Sequence, residues 1–151
     1  MAAQAASEMI FFVGSVVISA ALVGVFFAAV SSVSDSIQQN AASAAASLDT
    51  SVKILNDPGH VAYNNTSQNF TLWVKNTGSR PLSVNHTIML LDNLTVANTS
   101  YAWAFVGNYS AWGPQVTVVF TLTGVNLTAS TDHFLKVIAQ FGASDKQEFF
   151  Y

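Results

Sequence analysis

Cysteine is absent from the 151 residues. That excludes a disulfide framework, a thiolate nucleophile and any cysteine-ligated zinc or iron–sulfur centre. Charge is nearly as scarce: five Lys+Arg and eight Asp+Glu make up 9% of the chain, against roughly 25% in an average soluble domain. Five cations among eight anions cannot neutralise a row of phosphates, so no nucleic acid partner is expected. What is abundant is apolar surface. Hydrophobic residues reach 51% and aromatics 12%, too many for a disordered chain.

The apolar residues are concentrated. Met9 to Ser34 contains no charge and carries Phe11, Phe12, Ile18, Leu22, Phe26, Phe27 and Val30. A helix needs about 20 such residues to cross a bilayer. The leader MAAQAASE has no Lys or Arg, unlike a cleaved signal peptide, so the segment is expected to remain as an anchor. Ser31 to Ser47 lacks Gly and Pro and is rich in Ala, the best helix former. Its apolar positions Val30, Val33, Ile37, Ala41, Ala44 and Leu48 continue as a heptad-like stripe. One helix from about Ser7 to Ser47 is expected, with Ser7 as N-cap and Glu8 in the first turn. Residues 1–48 thus read as a transmembrane helix with a helical stalk. Within the span, Ala20, Gly24, Ala28 and Ser32 recur every four residues. Small residues on one face let helices approach closely in lipid, which marks a candidate self-packing face.

From Asp49 the texture changes. Runs rich in Val, Thr, Ile and aromatics fall at Thr50–Asn56, Phe70–Lys75, Val84–Leu91, Asn93–Val96, Ala102–Val106, Val116–Thr123, Phe134–Phe141 and Gln147–Tyr151. Turn signals such as Asp57-Pro58-Gly59 and Asn76-Thr77-Gly78-Ser79 punctuate them. Seven or eight short strands without helical period predict an immunoglobulin-like antiparallel β-sandwich over residues 49–151. The fold class is therefore α+β, with a long membrane helix ahead of an all-β domain. No linker separates them, so a rigid joint is expected.

Asn-X-Ser/Thr sequons begin at Asn64, Asn65, Asn69, Asn85, Asn93, Asn98, Asn108 and Asn126. Their confinement to the strand domain favours an exported, glycan-bearing surface, with the β-domain outside the cell membrane. Catalytic chemistry is poorly represented. His60, His86 and His133 are far apart and match no metal-ligand spacing. Asp132 stands beside His133 and is placed to orient an imidazole, yet no G-x-S-x-G elbow accompanies it. No Gly-rich phosphate loop is present. A non-enzymatic protein without metal or cofactor is expected. Interaction surface remains: Tyr101, Trp103, Tyr109, Trp112, Phe149 and Tyr151 are candidate interface aromatics, and an exposed sheet edge can add a partner's strand.

Three stretches carry a resemblance. Ala6-Ser7-Glu8-Met9-Ile10-Phe11-Phe12 opens the helix. Leu48-Asp49-Thr50 through Ile54-Leu55-Asn56-Asp57-Pro58 follows the stalk, and Phe70 to Val74 leads into Lys75-Asn76-Thr77-Gly78-Ser79. In this order they resemble the archaellum (archaeal flagellum) stator protein G family, FlaG/ArlG. The likeness covers about the first 80 residues and returns in GASDKQEF from Gly142 to Phe149. It implies one N-terminal membrane helix, an external β-sandwich and a non-enzymatic role in the archaeal motility motor. It further implies homo-oligomers or filaments across the pseudo-periplasm, tied to the S-layer through the related protein F. Two other readings stay open. A type IV pilin-like or archaellin-like filament subunit also begins with a long apolar helix and an early glutamate. Its processing wants Lys or Arg before the cleavage point, and residues 1–8 have neither, so the N-terminus is expected to stay unprocessed. The third reading is a membrane-anchored surface adhesin or binding module.

Overall fold

The computed structural model describes residues 2–97 and 100–151. It divides into two compact units, Met1–Ala42 and Ser43–Tyr151. The first helix, α1, runs from Ala2 to Leu48, 47 residues. It starts earlier than the expected Ser7. The alanine-rich leader is itself strongly helix-favouring, so Ser7 is an interior residue and Glu8 lies beyond the first turn. The helix ends where Asp49 N–H donates to the Ala45 carbonyl at 3.1 Å and the Thr50 hydroxyl to the Ser47 carbonyl at 3.2 Å.

Among the described residues nine strands follow: β1 (Val52–Ile54), β2 (Tyr63–Asn64), β3 (Asn69–Asn76), β4 (Ile88–Leu91), β5 (Leu94–Val96), β6 (Tyr101–Phe105), β7 (Thr117–Leu122), β8 (Asp132–Ile138) and β9 (Ser144–Phe150). One sheet has the order β1-β3-β7-β6, with β2 also on β3, and the other has the order β5-β4-β8-β9. Every pairing is antiparallel, and the domain is a β-sandwich. Two departures from the sequence pattern have local causes. Val84–His86 is a 3-10 turn rather than the start of a strand. β8 stops at Ile138 because Gln140–Gly142 turns, with Phe141 at φ 62°.

Alternation puts one side of each strand inward. Phe70, Leu72 and Val74 of β3 meet Val118, Phe120 and Leu122 of β7 in the core. From the opposite sheet come Met89, Leu135, Val137 and Phe149. The β4–β5 hairpin turns on Asp92 and Asn93, both left-handed at φ 50° and 65°, the two-residue turn that matches strand twist.

Two candidate interface aromatics belong to this core, a correction to the sequence reading. Trp112 is 1% exposed. Its ring meets Phe120 edge-on at 6.2 Å, and its indole N–H donates to the Val116 carbonyl at 3.2 Å. Phe149 is buried and stacks on Phe70 at 5.5 Å. Both face inward because the opposite sheet and the Leu82–Trp112 bridge cover them.

Candidate assembly surfaces

Among the described residues one helix, α1, is long and apolar enough to cross a membrane, and its apolar stretch is not buried within the chain. Met9, Phe11, Phe12, Leu22, Phe26 and Phe27 are all exposed. So large an apolar surface calls for lipid or protein cover. The Ser15 hydroxyl donates to the Phe12 carbonyl at 2.8 Å, which leaves no free donor on that side chain. Ala20, Gly24, Ala28 and Ser32 are exposed along the helix, and a Cβ at Gly24 would meet no atom within 4 Å. Further along the helix Val30, Val33, Ile37 and Leu48 are likewise exposed.

The second unit contains the last helical turn, and here two sequence motifs meet. Ala46 is buried, as is Thr50. Thr77 and Gly78 N–H donate to the Ser51 carbonyl at 2.9 and 3.1 Å, and Ser79 N–H donates to Asp49 O at 3.0 Å. A Cβ on Gly78 would stand 2.6 Å from both Asp49 O and Ser51 N, so only glycine permits the approach. Asn76 organises this loop from inside. Fully buried, its amide donates to the Arg80 carbonyl at 2.7 Å and the Trp112 carbonyl at 3.2 Å, while its oxygen accepts from Gly78 N–H at 3.0 Å. The Leu48-Asp49-Thr50 and Asn76-Thr77-Gly78-Ser79 stretches therefore form one clamp at the helix end. Sequence reading found both stretches but not their contact.

The remaining aromatics lie at the rim. Trp103 is 44% and Tyr109 58% exposed. Tyr101 is half-buried edge-on to Phe120, and its hydroxyl donates to the Thr87 carbonyl at 3.3 Å. Burial pushes the Tyr101 phenol up from 10.0. Tyr151 is half-buried against Tyr63, with ring centroids 4.9 Å apart. Of the sequon asparagines, Asn64, Asn65, Asn85, Asn93, Asn108 and Asn126 are exposed and Asn69 is half-buried; Asn98 lies outside the described residues.

Among the described residues no group of three or more His, Asp or Glu is placed to hold a metal ion. His133, however, is buried and fully engaged, by Asp92 rather than by its neighbour Asp132. Nδ1 lies 2.7 Å from Asp92 Oδ2; Nε2 lies 3.0 Å from the Thr128 carbonyl and 3.1 Å from Thr131 Oγ1. Thr131 Oγ1 itself donates to Thr128 O at 2.6 Å. All the ring's partners thus act as acceptors, and only the imidazolium satisfies both nitrogens. Burial opposes that charge, but the Asp92 and Thr128 hydrogen bonds and the charges of Asp92 and Asp132 outweigh it. The pKa is raised above 6.5. A raised folded-state value stabilises the fold fully below the unfolded value and is lost as pH rises through the folded one. Stability should therefore decline as pH rises upward from about 6.5, and His133→Gln should remove that slope in melting curves taken across pH. A slope unchanged in the variant would exclude His133 as its source.

A family model of archaeal-type flagellin matches residues 2–149. The flagella-related protein G of Methanocaldococcus jannaschii is 27% identical over 148 residues, 95% of this chain and 93% of that protein. That of Methanococcus voltae is 30% identical over 103 residues, 66% of this chain and 68% of that protein. A chain of the archaeal flagellum of Methanospirillum hungatei strain JF1 superposes with a TM-score of 0.68 at 15% identity, covering 95% of this chain and 91% of that one. The fold is shared with it. The archaellum periplasmic stator protein FlaG of Sulfolobus acidocaldarius gives a TM-score of 0.49 at 14% identity, over 66% of this chain and 99% of that chain.

Proposed function

The chain belongs to the archaeal-type flagellin family and is a homologue of flagella-related protein G, and on that premise we propose that it is a stator subunit of the archaellum motor. In this reading α1 crosses the cell membrane once and the sandwich stands outside. Copies assemble through the Ala20, Gly24, Ala28 and Ser32 face and through the sandwich, and the assembly is held to the S-layer, directly or through an F-type partner. Torque on a rotating filament has an equal reaction, which a fixed part must resist. The supporting observation is the clamp of Asp49–Ser51 with Thr77–Ser79. It fixes the residues that follow α1 into the sandwich by three backbone hydrogen bonds, an anchorage that a load-bearing part needs.

Deletion of the gene in its own host is expected to leave filaments assembled and abolish swimming, with the protein recovered in membranes rather than in sheared filaments. The fold shared with a flagellum chain supports a second reading, a filament subunit. Recovery in sheared filaments, and their loss on deletion, would establish it instead. Normal swimming with lost surface attachment would point to an adhesin. The membrane assignment has its own check. Leu22→Arg places a cation near the middle of the span at a cost of roughly 2.5–3.5 kcal/mol and should empty the membrane fraction, whereas Leu22→Ile should not. Glycan occupancy at the exposed sequons, read by mass spectrometry, tests the outward orientation.

A further inference from the structure

β6 ends its sheet and pairs only with β7 among the described residues. Its register has Tyr101 opposite Leu122 and Phe105 opposite Val118. Val106 N–H donates to Thr117 O at 2.9 Å, and Thr123 N–H to Ser100 O at 2.8 Å. In an antiparallel ladder hydrogen-bonded pairs alternate, so Ala102 and Ala104 also face β7. The N–H and C=O groups of Tyr101, Trp103 and Phe105 are therefore aimed outward at the free edge.

Open edges are normally guarded by charge. The opposite side of the sandwich is so guarded: Lys53 sits on β1, Asp145, Lys146 and Glu148 on β9, and Asp145 Oδ2 accepts from Ile54 N–H at 2.8 Å. On the β6 side there is no guard, because no charged residue occurs between Asp92 and Asp132. Trp103 stands half-exposed at the centre of the edge, its ring 5.3 Å from that of Phe105. Sequons flank the strand at Asn98 and Asn108 and none lies within it.

The strand is also self-complementary. Tyr-Ala-Trp-Ala-Phe has the same pattern in either direction, aromatic at positions 101, 103 and 105 and alanine between. We propose that β6 pairs antiparallel with β6 of a second copy, about a two-fold axis at Trp103. Trp103 then opposes its counterpart, Tyr101 opposes Phe105, and Ala102 opposes Ala104. All three outward-facing residues fall into hydrogen-bonded pairs, with no charge opposite a like charge. A two-fold contact of this kind uses one patch twice. The proposal rests on the self-assembly in the preceding reading and assigns it a surface.

The absence of cysteine makes the register measurable in the full-length protein in its membranes. Residues 102 and 104 of opposed strands would form a non-hydrogen-bonded pair with Cα atoms about 4.5 Å apart, inside the range of about 4.4–6.8 Å that a disulfide spans. Differently tagged A102C and A104C chains, co-expressed and oxidised, should give the mixed dimer at least about tenfold above either homodimer. A mixed dimer no more abundant than a Ser144→Cys with Lys146→Cys control on β9 would overturn the proposal. Trp103→Lys and Trp103→Glu should each abolish pairing alone and restore it when combined. Chains that still associate by amine cross-linking without the 102–104 disulfide would sink the β6 interface and leave the stator reading standing. Chains that never associate would sink both.

Discussion

Replacing Gly78 with alanine should cost about 3 kcal/mol or more of unfolding free energy, at the upper end of what overpacking a filled site produces. The reason is geometric. The new Cβ would lie 2.6 Å from Asp49 O and Ser51 N and 2.9 Å from Thr50 Cα. All three are backbone atoms, which cannot rotate aside as a side-chain tip can. To make room the clamp must open, breaking the bonds of Thr77, Gly78 and Ser79 to Ser51 and Asp49. Asn76→Asp should be comparably severe, since it replaces a buried donor with a charged acceptor facing the Arg80 and Trp112 carbonyls. A buried group facing the wrong partner loses its hydrogen bond and keeps its desolvation cost. Gly14→Ala, outside the proposed packing face, is the internal control. A Cβ there meets nothing, and alanine favours helix by roughly 1 kcal/mol. Denaturant unfolding of the full chain in detergent, followed by tryptophan fluorescence, separates the outcomes. A Gly78→Ala variant as stable as the parent would mean that the clamp is not closed in solution.

Trp112→Ala and Trp103→Ala should differ severalfold although the residues lie in one aromatic run. Trp112 is enclosed, with its indole N–H bonded and its ring against Phe120. Truncating such a side chain removes its transfer free energy and leaves a cavity, about 3–5 kcal/mol together. Trp103 keeps 44% of its surface exposed, so its truncation should cost about 1 kcal/mol or less, scaled to the smaller apolar area it buries. Its loss should appear instead in assembly, because Trp103 lies on the axis of the β6 pair. Melting temperature reports the first effect and cross-linking yield the second. Equal destabilisation by the two changes would show that β6 is covered within the single chain.

Much of this architecture is legible residue by residue. The uncharged run from Met9 to Ser34 declares its helix and its need for lipid or protein cover through composition alone. β3 and β7 announce themselves through period-two alternation, because a strand's two faces are decided by neighbours one residue apart. The turn at Asp57-Pro58-Gly59 follows from backbone preferences of the residues themselves, whereas the Asp92-Asn93 hairpin turn takes in Asn93, which the sequence pattern gives to a strand. Where local preference competes with itself, sequence reading slips. Ser7 has the chemistry of an N-cap, but the alanines before it are helix formers too, and the helix continues through to Ala2.

The site residues are legible only as a set of types. Hydropathy marks Trp103, Trp112, Tyr109 and Phe149 alike as large and apolar, and nothing local sorts the two that are enclosed from those at the rim. That sorting depends on the order β1-β3-β7-β6, which makes β6 an edge and lays the opposite sheet over Phe149. His133 finds Asp92, 41 residues away, rather than adjacent Asp132, because successive side chains on a strand point to opposite faces. Asn76 reads as a turn residue and is instead the buried polar centre of the clamp. The sequence by itself determined the elements: one membrane-length helix, a charge-poor set of strands and the turns between them, all consequences of short-range preference. Only the tertiary structure decided which strand is left open, which aromatics are spent in the core and which distant polar groups are paired, because each depends on contacts between residues far apart in the chain.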